Sequence, residues 1–289
     1  MADENTLLNS DLESRYEKYK GIIKNFTLMS DIFMRNVFKK RECLEYVLQV
    51  IMEKQDLHVI DQIIQKDYKN LQGRSAVMDC VARDSTGKQF DVEIQQDNEG
   101  ASPKRARYHS GLMDMNTLNP GQDFEELPES YVIFITRDDI LGYGLPIYHI
   151  DRQIKELNEA FQDEAHIIYV NSRKQDDTEL GRLMHDLHCK KADEMHSPIL
   201  AKRVYELKET QSILVICQEK FKIVFDMFFL KKGALHHRSL IIFLKNERYL
   251  DSVFNSASSF SPVYSWFLTS KPKTSRTNLR DVSASALLC

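Results

Sequence analysis

Two short β-rich runs, Ser75–Arg83 (SAVMDCVAR) and Gln89–Gln95 (QFDVEIQ), stand either side of Asp84-Ser85-Thr86-Gly87-Lys88. β-branched and apolar residues favour extended backbone, and Asp and Gly favour a reversal, so the segment predicts a β-hairpin with a moderately long turn. Residues i and i+2 of a strand point to the same face. Asp91, Glu93 and Gln95 therefore share one face, and Val92 and Ile94 the other. Asp79, near the middle of the first strand, can face Glu93 if the register allows. Adjacent carboxylates repel each other unless a cation sits between them. Oxygen donors of this kind suit Mg²⁺ or Mn²⁺, and a metal-bound water can attack a phosphodiester. The same acidic pattern is also what the solvated face of an ordinary antiparallel sheet looks like. Its meaning therefore depends on what surrounds it.

A helix is predicted over Ser30–Lys54, with Ser30 or Asp31 as its cap and Phe33, Val37, Phe38, Leu44, Val47, Leu48 and Ile51 as its apolar stripe. His58–Gln65 reads as a short strand or an extended connection. After the hairpin, Ser102–Met115 predicts a helix with Pro103 in its first turn and basic Lys104, Arg105 and Arg107 near its start. Tyr131–Thr136 (YVIFIT) is continuously apolar, as in a strand covered on both faces. Pro146–Ile150 and Ala165–Val170 are further strand candidates, and Thr178–Leu187 and Ile199–Glu209 read as helices. This order describes an α/β domain with a mixed central sheet flanked by helices.

No run of ~18 apolar residues is present, which argues against a spanning helix and a membrane partner. The opening MADENTLLNSDLESRYEKYK is polar and acidic rather than basic then apolar, so a cytoplasmic location is expected. No Walker A loop or G-x-G-x-x-G occurs, so no nucleotide cofactor is expected. The five cysteines lie far apart with no CxxC pair, and read as free thiols. His185 and His188 have ligand-compatible i, i+3 spacing, and His109 and His196 are also candidates, but no third ligand lies nearby in sequence and no zinc site is expected. The net charge of −4 is uneven. Residues 1–210 hold 28 Lys+Arg against 38 Asp+Glu, and residues 211–289 hold 11 against 5. The whole-chain charge thus neither favours nor excludes a nucleic-acid partner.

Four ordered blocks carry a resemblance. They are Asp31-Ile32-Phe33-Met34-Arg35-Asn36-Val37-Phe38, Met78-Asp79, Asp91-Val92-Glu93-Ile94-Gln95 and Arg105-Ala106-Arg107-Tyr108-His109, followed by the Tyr131–Thr136 strand. Over about residues 28–210 the chain resembles the PD-(D/E)XK nuclease superfamily. More narrowly it resembles the bacterial Rpn-type recombination-promoting nucleases, also called PD-(D/E)XK nuclease family transposases. The resemblance implies a restriction-endonuclease-like core and a Mg²⁺-dependent deoxyribonuclease, with Mn²⁺ as an alternative ion and DNA as the partner. It implies Asp79 and Glu93 as catalytic metal ligands and the Ile94 backbone carbonyl as completing the metal shell. Gln95 stands where the superfamily formula has lysine, as is common in the Rpn-like group. Its amide carries no charge but can orient a water or a phosphate oxygen. Asp31 matches an acidic position that adds an outer ligand, or it is a plain helix cap. Lys104, Arg105, Arg107 and Tyr108 are either phosphate partners or a solvated basic face with Tyr108 in the core. Asp91 is expected to stay outside the ligand set, behind it or in solvent.

Three regions are expected: a polar lead-in over 1–27, the nuclease-like domain over 28–210, and a C-terminal region over 211–289 of undefined fold. That last region holds 12 Ser and 11 aromatics without an amphipathic period, and reads as a frameshifted or disordered tail or as a divergent domain. Two functional readings follow. One is a metal-dependent DNA endonuclease of recombination or transposition. The other is a catalytically weak or inactive DNA-binding or interaction module of the same fold, in a mobile element or a defence system.

Overall fold

The computed structural model describes residues 21, 23–70, 73–96 and 98–209. Most of the lead-in, and the whole region 211–289 with its expected frameshift or disorder, lie outside the described residues.

The single helix expected over Ser30–Lys54 is two: α1 (Asp31–Phe38) and α2 (Arg41–Ile51). The chain turns at Lys39–Lys40, with Lys40 extended at φ −89°, ψ 110°. The turn lets Phe38 and Leu44 both reach the core, which one straight helix would not. Ending a helix leaves its last carbonyls without intrahelical partners. Here Gln62 donates to the Phe38 carbonyl at 2.8 Å and Arg203 to that of Asn36 at 2.8 Å. Neither Ser30 nor Asp31 makes a side-chain cap; Ser30 holds the N-cap position and Asp31 the first turn.

β1 (Val59–Tyr68) is longer than the short strand expected. It pairs antiparallel with β2 (Ala76–Asp84), which pairs antiparallel with β3 (Gln89–Gln95). α3 (Pro103–Met115) begins as expected, with Ser102 accepting from the Arg105 N–H. β4 (Ser130–Thr136) is buried along its whole length and runs parallel to β3. β5 (Ile147–Ile150) is followed by a small hairpin, β6 (Gln153–Ile154) and β7 (Glu159–Ala160), which the sequence pattern did not suggest. β8 (Ala165–Asn171) pairs parallel with β4 and antiparallel with β5. The result is a six-stranded mixed sheet in the order β1-β2-β3-β4-β8-β5. α4 (Glu179–His188) and α5 (Pro198–Glu209) complete the described chain. The architecture is α/β with a mixed central sheet flanked by helices.

Period-two alternation in the central strands feeds two cores. Cys80, Ala82, Val92, Ile94, Ile133 and Ile135 pack on one face with α1, α2, α4 and α5. Val81, Val132, Phe134 and Tyr169 pack on the other with α3. Cys43, Cys80 and Cys189 are free and buried. Among the described residues no helix is long and apolar enough to cross a membrane. At the far end of α5 the buried Lys208 ammonium donates to the carbonyls of Lys24 (3.2 Å), Phe26 (2.6 Å) and Lys190.

The β2–β3 turn fixes the register that matters later. Asp84 Oδ1 accepts from the Thr86 N–H, the Thr86 hydroxyl and the Lys88 N–H, while Gly87 takes φ +95°, a region glycine enters freely. Asp84→Ala removes all three bonds from a buried acceptor and is expected to cost about 2 kcal/mol, measured from the urea midpoint. Asp84→Asn, which keeps the oxygen, should lose less. An unchanged midpoint in Asp84→Ala would contradict the role given to this turn.

Candidate metal and catalytic site

Strands β2 and β3 pair from Arg83/Gln89 to Cys80/Val92, and the ladder ends there. Extending that register by one residue puts Asp79 opposite Glu93. The Asp79 N–H donates to Glu93 Oε1 at 2.8 Å, so a carboxylate takes the place of a strand carbonyl. On the other side, β1 pairs Ile64 with Cys80 and Lys66 with Met78, which puts Gln65 opposite Asp79. Gln65 adopts φ +56°, a left-handed conformation that costs a non-glycine residue energy. The sheet is therefore irregular on both sides of Asp79.

The hairpin brings three carboxylates under one end of the sheet. Asp91 and Glu93 are fully buried and Asp79 is 9 % exposed. Asp91 is thus not a solvent residue. α1 adds Asp31, whose side chain remains half exposed. Two guanidiniums answer these charges. Arg35, one turn along α1 from Asp31, lies 2.6 Å from Asp31 Oδ2 and 3.5 Å from Asp79 Oδ1. The Gln65 side-chain oxygen also meets the Arg35 guanidinium when its amide is oriented to accept. Arg105, from α3, donates to Glu93 Oε2 at 2.8 Å and to the Gly100 carbonyl at 2.7 Å. Gln95 Nε2 donates to Glu93 Oε2 at 3.2 Å, and its Oε1 lies 3.5 Å from Arg105.

His109, four residues along α3 from Arg105, closes the group. Arg105 Nε donates to His109 Nε2 at 3.2 Å, so the ring proton belongs on Nδ1, which donates to Asp91 Oδ2 at 2.8 Å. Burial pushes the His109 pKa below its usual value, which keeps the ring neutral. Asp91 Oδ1 has no hydrogen-bond partner although it is buried. Asp91, Glu93 and His109 together place ligand atoms within 4.8 Å of one another.

The electrostatics follow from burial. Desolvation, then the Glu93 and Asp31 charges, hold the Asp79 carboxyl well above the usual range. Desolvation and Asp79 do the same to Asp91. Glu93 is pushed from 4.5 to about 7, by burial first and Asp91 second, against the pull of Arg105. Four carboxylates stand against two guanidiniums and a neutral imidazole. Asp31 is half exposed and solvent meets its charge, so one buried charge is left to be met by a proton or by a divalent cation. An orphaned buried carboxylate oxygen and an all-oxygen donor set beside it fit a hard ion.

Of the other residues singled out in the sequence, Ile94 is buried and its side chain faces the helical core. Lys104 and Arg107 are exposed on α3. Tyr108 is not a core residue: it is 37 % exposed, and its hydroxyl donates to the Arg74 carbonyl. Arg35 and Gln65 were not singled out, and His109 was considered only as a zinc ligand. Arg35 and His109 each stand four residues after a residue that was, and i, i+4 spacing places such pairs together.

A family model described as PD-(D/E)XK nuclease family transposase matches residues 31–187, a span that contains every residue of this cluster. No curated protein and no solved structure gives a match.

The raised pKa values set a sign. In cation-free protein Glu93 binds its proton more tightly folded than unfolded, so its contribution to stability is full below about pH 4.5 and is lost as the pH rises to about 7. A cation competes with that proton. The gain in Tm from saturating Mg²⁺ or Mn²⁺ is therefore expected to be small at pH 5 and to grow towards pH 8. Asp79→Asn should raise the Tm of the cation-free protein at pH 8 by about 2–4 °C and abolish the cation-dependent gain. A gain that does not vary with pH would count against cation binding at these carboxylates.

Proposed function

This chain belongs to the PD-(D/E)XK nuclease family transposases, and from that we propose that it is a metal-dependent DNA endonuclease acting in recombination or transposition. The observation that carries the reading is the charge imbalance of the buried carboxylates, with Asp91 Oδ1 left without a partner. A bound Mg²⁺, or Mn²⁺, supplies Lewis-acid polarisation of a phosphoryl oxygen and a more acidic water.

The chain's own groups divide the work. Asp79 and Glu93 would hold the ion, together with the Ile94 carbonyl and Asp31. Arg105 favours the ionised form of Glu93 and holds it in place, since its guanidinium lies 2.8 Å from Oε2. His109 holds Asp91 in place through its Nδ1 proton. Gln95 orients a water or a phosphate oxygen with its amide. Lys104 and Arg107, exposed on α3, meet the DNA backbone, with Tyr108 beside them. One observation favours the alternative reading, a catalytically weak or inactive DNA-binding or interaction module. Gln95 is uncharged, and it spends one of its two amide N–H groups on Glu93.

Plasmid nicking decides between them. Cleavage is expected with Mg²⁺ or Mn²⁺ and none with a chelator. Asp79→Ala and Glu93→Ala should each lose at least about 100-fold in rate while still binding DNA. Nicking at the wild-type rate by Asp79→Ala would remove the assignment, and tight DNA binding without cleavage in either ion would establish the inactive module. In a separate measurement, the Lys104→Ala/Arg107→Ala double variant should weaken DNA binding and lower the slope of log K against log salt by about 1–2. An unchanged slope would place the DNA elsewhere.

A further inference from the structure

Among the described residues a second group of metal-competent side chains lies at the junction of α4 and α5. It holds two imidazoles and one carboxylate where the first holds two carboxylates and one imidazole, and the Cys189 thiol stands beside its His185 ring. His185 and Asp186 occupy the last turn of α4, Cys189 follows that helix, and His196 directly precedes Ser197 and α5. The sequence spacing suggested a His185–His188 pair, but His188 turns away and bonds the Ser172 hydroxyl at 2.8 Å. The partner of His185 is instead His196, brought back by a loop that Asp186 organises. Asp186 is fully buried, its Oδ1 accepting the His196 N–H at 2.8 Å and its Oδ2 the Ser197 N–H at 2.7 Å.

We propose that His185, Asp186, Cys189 and His196 form a zinc-binding site that fastens α4 to α5. Zinc bonds of about 2.0–2.1 Å to nitrogen and oxygen and about 2.3 Å to sulfur, at tetrahedral angles, set donor-to-donor edges of about 3.4 Å and about 3.6 Å. The observed edges are 3.4 Å from His185 Nδ1 to Asp186 Oδ1, 3.2 Å from His196 Nδ1 to the same oxygen, and 3.5 Å from Cys189 Sγ to His185 Nδ1. The two imidazole rings stand 4.7 Å apart at 75°, so they converge rather than stack. Asp186 Oδ1 already accepts a backbone N–H and has room for one Nδ1–H donor, so at least one of the two imidazoles presents an Nδ1 lone pair. An ion between the rings uses the Nδ1 lone pairs instead. Imidazole and thiolate donors select zinc over Mg²⁺, so this site and the carboxylate cluster would sort two ions by donor type. The His185 and His196 side chains are 39 % and 49 % exposed, which leaves the ion a path from solvent. The consequence is structural: α5 supplies Arg203, which caps the end of α1.

The test uses the full chain, dialysed into metal-free buffer after exposure to Zn²⁺. Elemental analysis should find about one tightly held zinc per chain. Asp79→Ala, which disables the carboxylate cluster, should retain it, and His185→Ala and His196→Ala should lose it. The Co²⁺-substituted wild-type protein should show the strong visible bands of tetrahedral cobalt and a near-ultraviolet thiolate charge-transfer band that Cys189→Ser removes. Wild-type protein that holds no zinc, or shows only the weak spectrum of octahedral cobalt, overturns the proposal even if the histidine variants fold poorly. So does zinc that survives both histidine substitutions, or is lost in Asp79→Ala alone. A tetrahedral spectrum without the charge-transfer band overturns the place given to Cys189.

Discussion

The Glu93 carboxylate accepts the backbone N–H of Asp79 with one oxygen and the Arg105 guanidinium with the other. That pair of contacts joins a strand end, a helix and the acidic cluster through one fully buried side chain. Its dependence runs both ways. The Asp79 N–H stands beyond the last β2–β3 pair and needs an acceptor, and a buried carboxylate needs donors. Removing Glu93 would leave both unsatisfied, whereas removing an exposed carboxylate leaves nothing behind.

The rest of the fold can be understood as support for holding like charges close together. Each face of the sheet sends in one arginine, Arg35 from α1 and Arg105 from α3, so neither helix can shift without uncovering a carboxylate. The hydrophobic cores on the two faces fix those helices, with Phe33, Met34, Val37 and Phe38 fully buried on α1, and Ala106, Leu112 and Met113 buried on α3. The cost of the site is visible in the backbone as well. Gln65 is held in a left-handed conformation opposite Asp79, and its amide is spent on Arg35. Such strain persists only where surrounding packing over-determines it.

Much of this was legible in the sequence, for physical reasons. The hairpin was, because alternation and turn chemistry are local. Asp79, Glu93 and Gln95 were, because one register of that hairpin brings them together. β4 was, because a strand covered on both faces has to be apolar throughout. The break between α1 and α2 was not, since Lys39–Lys40 holds no Gly or Pro and the apolar spacing continues across it. The extent of β1 was not, because its pattern alternates around an exposed edge and its pairing is with β2 rather than with itself. Whether Asp91 sits behind the ligands or in solvent was left open, because only tertiary packing reveals that α3 covers it. His109 and Arg35 escaped for a related reason: each also meets a strand carboxylate, Asp91 and Asp79, that helix spacing alone does not bring near. The convergence of His196 on His185 depends on two backbone hydrogen bonds to Asp186, which no spacing rule contains.

One consequence lies in the order in which the chain is made. The carbonyls of Lys24 and Phe26, just ahead of α1, are satisfied by an ammonium that arrives more than 180 residues later, and the open end of α1 by a guanidinium almost as distant. A ribosome releases the carboxylates of α1 and the hairpin long before it releases Arg203 and Lys208. Until α5 emerges, the nascent domain owns its acidic residues but not the contacts that Arg203 and Lys208 make on either side of α1. Removing α5 would therefore leave backbone carbonyls on both sides of α1 without these donors.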